Sequence, residues 1–173
     1  MDFLKKSNFQ LSLGRALDLY SRYLVAVPVR DKVSRLYYAC YHAAVTAIEL
    51  KASFAMLQKA ENTSYHAALR KIYPRHYGKP TKKAKIKIVA YKVDIALLKW
   101  SELRNVADYI VFDDQFEEEN LAKTMETLEN MEDFVKDHLR YFADSHSQRL
   151  TAEQSAEIGG ILVPPTNAET ADG

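Results

Sequence analysis

The chain has 173 residues, enough for one domain with a proper core plus a tail, and too few for two comfortable domains. Hydrophobic residues at 47% and charged residues at 27%, with only five glycines and five prolines, exclude a loop-rich or disordered protein and point to a helical globular one. A net charge of +1 excludes any global electrostatic reason to bind nucleic acid or membrane, so such a role has to rest on local charge.

From Phe9 to Val27 the residues Leu13, Ala16, Leu17, Tyr20 and Leu24 recur at helical spacing, and Pro28 stops the run. Asp31 is placed to cap a second helix, whose Leu36, Tyr37, Cys40, Ala43, Ala44, Ala47 and Ile48 make it apolar around most of its circumference. Such a helix belongs in the middle of a bundle. A third helix is expected from about Asn62 to Ile72, with Tyr65, Ala68, Leu69 and Ile72 on one face, ending before Pro74. A fourth, from about Lys83 to Tyr109, has one apolar edge at Ile88, Tyr91, Ile95 and Leu98, and a second at Val93, Leu97, Trp100 and Leu103. A fifth, from about Phe116 to Phe142, carries Leu121, Met125, Leu128, Val135 and Leu139. Short connections predict an all-α, antiparallel four-to-five-helix bundle over residues 1–144.

Beyond Asp144 the apolar pattern thins, and residues 145–173 read as a flexible tail. Within it, Ile161, Leu162 and Val163 followed by Pro164 and Pro165 form a short extended segment suited to docking on a partner surface. The single cysteine, Cys40, excludes an internal disulfide. Residues 1–7 lack the apolar run of a signal peptide, and no eighteen apolar residues run together. The expectation is a cytoplasmic protein that does not enter the membrane.

Charge is distributed unevenly. Between Arg70 and Val93 lie nine basic side chains and no acidic one: Arg70, Lys71, Arg75, Lys79, Lys82, Lys83, Lys85, Lys87 and Lys92. Such a stripe gives salt-sensitive, sequence-independent affinity for nucleic acid, and Tyr73, His76 and Tyr77 inside it are of a kind that stacks on unpaired bases. Residues Asp113 to Asp137 hold ten acidic side chains against two lysines. The two blocks would also attract each other within a bundle or across a dimer, which would remove the stripe as a binding surface. No glycine-rich phosphate loop, paired cysteines or His-Glu-x-x-His helix occurs, and the acidic pairs read as solvated helix-start carboxylates, so no metal or cofactor is expected.

Two polar constellations interrupt the apolar pattern. Ser101 to Tyr109 sets Arg104 beside Asp108, and Asn105 beside Tyr109, at four-residue spacing on one helix. Arg104 is suited to a bidentate grip on phosphate. Ser34 to Ala44 sets Arg35, Tyr38 and His42 along one stripe of the second helix.

In these two segments, Ser-Arg-x-Tyr-Tyr-x-x-aromatic-His-Ala-Ala at 34–44 and Arg-x-x-Ala-Asp-Tyr at 104–109, followed by an acidic helix, the chain resembles prokaryotic members of the HEPN superfamily over residues 9 to 142. The resemblance implies a helical bundle that dimerises through the faces around its second and fourth helices. It also implies an RNA-directed toxin or defence component, restrained by a partner such as a nucleotidyltransferase-type antitoxin. Active HEPN ribonucleases pair an Arg with a His four to six residues later and cut RNA without metal through its own 2′-hydroxyl. Here Arg104 and Asn105 match the start of that motif, and Tyr109 stands where the His is expected. A phenol with an ordinary pKa of about 10 is a far poorer proton acceptor at neutral pH than an imidazole near 6.5. His42 is one substitute; Arg70 with His76 has the spacing, but Pro74 interrupts that helix. By position Tyr109 is also an acceptor for nucleotide modification by such a partner. The alternative reading is a catalytically inactive HEPN bundle that binds RNA, a nucleotide or a protein as a regulatory or scaffold subunit. A third reading makes Arg104 and Asp108 a brace within the fourth helix.

Overall fold

A computed structural model describes residues 2–77, 93–110, 116 and 120–163. The described chain is helical: α1 (Asp2–Val25), α2 (Val29–Glu49), α3 (Phe54–Glu61), α4 (Tyr65–Tyr77), α5 (Val93–Tyr109), α6 (Leu121–Ser145), a 3-10 turn at Ser147–Arg149, and α7 (Ala152–Leu162). The antiparallel bundle expected from the apolar periodicity is present.

Its axis is α2, which packs against α1, α4, α5 and α6. Ala39, Ala43, Ala44 and Ala47 on α2 are fully buried, and these small side chains let the neighbouring helices approach closely. Leu36, Tyr37, Cys40 and Ile48 fill the gaps and meet Phe9, Leu13 and Leu17 of α1 and Leu128, Met131, Val135 and Leu139 of α6. The Cys40 thiol donates to the Met131 carbonyl at 3.4 Å, and burial pushes its pKa well up, so it is packed rather than reactive.

Several boundaries differ from the sequence reading, each for a local reason. The expected third helix is two helices. Ser53 accepts from the Met56 amide to start α3, Asn62 ends it in the left-handed conformation (φ 52°), and Ser64 accepts from the Ala67 amide as α4 begins. The helix α4 continues through Pro74 instead of ending before it. Its last turn is anchored from both sides of the proline: Tyr73 bonds to His138 at 2.7 Å, and Tyr77 donates to the Ala47 carbonyl at 2.5 Å. Asp31 lies in the first turn of α2 and Pro28 occupies the cap position. Leu24, Tyr65, Leu98 and Met125, all expected on buried stripes, are exposed, while Tyr23 and His66 turn inward or partly inward.

The largest correction concerns residues 145–163, expected to be part of a flexible tail. They fold back on the bundle. Thr151 and Gln154 form a reciprocal capping box that starts α7, Gln154 Nε2 donates to the Gln10 carbonyl at 3.0 Å, and Gln10 Nε2 donates to the Arg149 carbonyl at 3.1 Å. Ile158 is buried and Ile161 and Leu162 pack on the core, so these two close a helix within the chain and are not an extended docking segment. Residues 164–173, with Pro164 and Pro165, lie outside the described residues. Among the described residues, no helix is long and apolar enough to cross a membrane.

If α7 belongs to the folding unit, Ile158→Ala should cost about 2 kcal/mol, the low end for a buried aliphatic truncation, in urea unfolding. An unchanged midpoint would show that α7 is a dispensable appendage.

Candidate functional site

The bundle buries a cation where the last turns of α5 pack against α2. Arg104 on α5 is only 8% exposed, and its Nε is a buried donor without a hydrogen-bond partner. Its ion pair is to Asp108, one turn on, at a long 3.7 Å from Nη1, with the Asp108 side chain 28% exposed. The guanidinium lies against two tyrosine rings of α2, with Cζ 5.3 Å from the Tyr38 centroid and 5.5 Å from that of Tyr37. Cation–π contacts of this kind are worth about 0.5–2 kcal/mol each, while an incompletely paired buried ion costs several. Arg104 is therefore held in place by aromatic faces with hydrogen-bonding capacity left over.

The third wall is His66 on α4. Its Nδ1 is 2.6 Å from the Tyr37 hydroxyl, its ring stacks on Tyr37, and the Tyr41 centroid is 4.6 Å away. Burial, then the charges of Arg104 and Arg70, hold the His66 pKa below the usual histidine value, so the ring is neutral at pH 7. Burial raises the pKa of Tyr37, against which the Ser101 hydroxyl and the Arg104 and Arg70 charges act. Three helices thus meet at one polar cluster: Tyr37, Tyr38 and Tyr41 from α2, His66 and Arg70 from α4, and Ser101, Arg104 and Asp108 from α5.

Of the residues singled out in the sequence, Arg104 and Asp108 meet as expected. Asn105 and Tyr109 do not join them: both are exposed, Tyr109 at 76%. Arg35 is exposed on α2. His42 packs edge-on to Tyr41 at 5.1 Å, and burial, then Arg15 and His66, lower its pKa to about 4. It stands behind Tyr41, within electrostatic range of His66. Arg70 belongs to the cluster, Lys71 is exposed, and Arg75 pairs with Glu61 of α3. Lys79, Lys82, Lys83, Lys85, Lys87 and Lys92 lie outside the described residues. His76 accepts a Lys51 hydrogen bond through its carbonyl at 2.7 Å. Among the described residues no group of three or more His, Cys, Asp or Glu side chains is placed to hold a metal.

His66 was not anticipated. Its signal was present, because His66 and Arg70 are four residues apart on one helix and share a face. Another histidine, His138, is fully buried and fully satisfied: Nδ1 donates to the Phe134 carbonyl at 2.7 Å and Nε2 meets the Tyr73 hydroxyl. Burial lowers its pKa to about 4. The unfolded chain, with histidine near 6.5, binds the proton more readily, so this stabilisation is complete above pH 6.5 and is lost as pH falls towards 4. About 2 kcal/mol should go from His138 between pH 7 and 5, and its NMR titration midpoint should lie below pH 5. A midpoint between 6 and 7 would contradict the buried hydrogen bonding.

The brace and the anion anchor make opposite predictions for Arg104→Met. Replacing an incompletely paired buried cation with an apolar side chain should leave stability unchanged or raise it by about 1 kcal/mol. A loss above about 2 kcal/mol would identify Arg104 as a structural brace. No family model, curated protein or solved structure matches the chain.

Proposed function

We propose that this chain is a HEPN-like, RNA-directed component of a toxin or defence system, which engages RNA by seating a backbone phosphate on Arg104. The observation that carries the reading is the buried guanidinium with an unpartnered Nε and one long ion pair. A site that excludes most water and retains an unused cationic donor is suited to an anion. Half-buried Tyr41, on the His66 side of the cluster, supplies an aromatic ring of the kind on which an unpaired base can stack. Arg70 and exposed Lys71 extend positive charge along α4. A homodimer formed around α2 and α5 would set two such clusters side by side.

Binding is favoured over cutting by the outward placement of Asn105 and Tyr109, which leaves the expected motif split between two faces of α5. The exposed Tyr109 hydroxyl instead suits nucleotide modification by a nucleotidyltransferase-type partner. The second reading, a metal-independent ribonuclease, is favoured by one observation: a neutral imidazole, His66, lies within electrostatic range of Arg104.

The test is to incubate purified protein, without added metal, with a mixed RNA pool, and to measure both binding and cleavage. Binding that Arg104→Ala weakens at least tenfold, at matched folding, is the expected result. Cleavage abolished in Arg104→Ala and in His66→Gln would promote the ribonuclease reading. Binding indifferent to Arg104 would overturn the proposal.

A further inference from the structure

The cluster contains a titratable group whose second nitrogen is unused. His66 Nδ1 faces Tyr37, and among the described residues Nε2 has no hydrogen-bond partner. Tyr37 is 2% exposed, so its hydroxyl proton has to go to an acceptor, and the acceptor in contact is Nδ1. The neutral ring then carries its proton on Nε2 and presents a donor. Taking a second proton at Nδ1 requires the Tyr37 oxygen to accept instead and its own proton to turn away. The same contact can serve the imidazole in either protonation state, with Tyr37 as donor to the neutral ring and as acceptor from the charged one.

The charged and titratable groups around His66 are Tyr37, Tyr38, Tyr41 and His42 on α2, Arg70 on α4, and Arg104 with its partner Asp108 on α5; Arg15 of α1 acts on His42 and Tyr41. In the free protein the arginines oppose a further positive charge on the ring. A phosphate seated on Arg104 reverses that local field.

We infer that RNA binding at this site is coupled to protonation of His66, which joins Arg104 as the second donor to the bound phosphate. The inference rests on the RNA reading above and adds to it a residue and a pH dependence. Its sign follows from linkage. The ring has a higher pKa in the complex than in the free protein, so a proton is taken up on binding, and affinity rises as pH falls from the bound value towards the free one. Above the bound value, affinity is level.

The probe is a 2′-O-methyl oligouridine with hydroxyl ends, which is not cut through a 2′-hydroxyl and has neither a base nor a terminal phosphate that titrates in the window. Its affinity for the full chain should tighten at least about threefold between pH 7.5 and 5.5, with a limiting slope of tenfold per pH unit for one proton. His66→Gln should abolish the slope, and His42→Gln and His76→Gln should keep it. On the unmodified protein, calorimetry at pH 6 in two buffers of different ionisation heat should show uptake of a fraction of one proton. Binding that is independent of pH but lost in Arg104→Ala would overturn the coupling and leave the RNA reading standing, as would a slope that survives in His66→Gln. No binding at any pH would overturn both.

Discussion

The central helix has to be buried on nearly every side, and the rest of the structure follows from that constraint. Ala39, Ala43, Ala44 and Ala47 make close approach feasible, and α1, α4, α5 and α6 take up the surrounding positions. The aromatic stretch of α2, Tyr37 to His42, then has to be accommodated within the packing. It is met by the polar side chains of α4 and α5. Tyr37 and Tyr38 provide flat, weakly negative faces at which a guanidinium can be desolvated, and Arg104 occupies them. The polar cluster is thus the place where the packing rule of the bundle is locally broken, a common position for function in an otherwise consistent fold.

Two histidines, His138 fully buried and His66 partly so, show how differently the same fold treats one side chain. At His138 both ring nitrogens are spent, on the Phe134 carbonyl and on Tyr73, and the residue ties α6 to α4. At His66 one nitrogen is fixed by Tyr37 and the other is available, with arginines on two helices nearby. The first arrangement contributes rigidity. The second has the capacity to respond to a ligand, because its protonation depends on charge that a ligand can bring.

Much of the architecture was legible from periodicity, since the apolar stripe of α1 and the nearly all-round apolar α2 leave few alternatives to a bundle. What misled was local chemistry. Asn62 could be read as helix, yet its tolerance of the left-handed conformation makes it a terminator of α3. The capping box at Thr151 and Gln154 was visible in residues otherwise taken for a tail. Arg104 and Asp108 were legible because four residues turn a helix by only about 40° beyond one circle; Asn105 and Tyr109 are rotated by roughly 100° and 140° from Arg104, and so face solvent while it faces α2. His66 was missed because the face of its helix was assigned with Tyr65 inward. The pairing of α4 with α2 and α5, which turns His66 inward, is a tertiary fact that no local pattern encodes.

The central claim is that Arg104 holds its position for an anion and not for the fold alone. The most direct measurement is the ¹⁵N NMR signal of its side-chain Nε, followed as hydroxyl-ended 2′-O-methyl oligouridine is added. The account predicts a saturable shift and slowed hydrogen exchange at Arg104 Nε, with Arg22 and Arg140, exposed and paired on their own helices, unaffected. A resonance at Arg104 that stays fixed while exposed arginines move would contradict it, and would return Arg104 to the role of an internal brace.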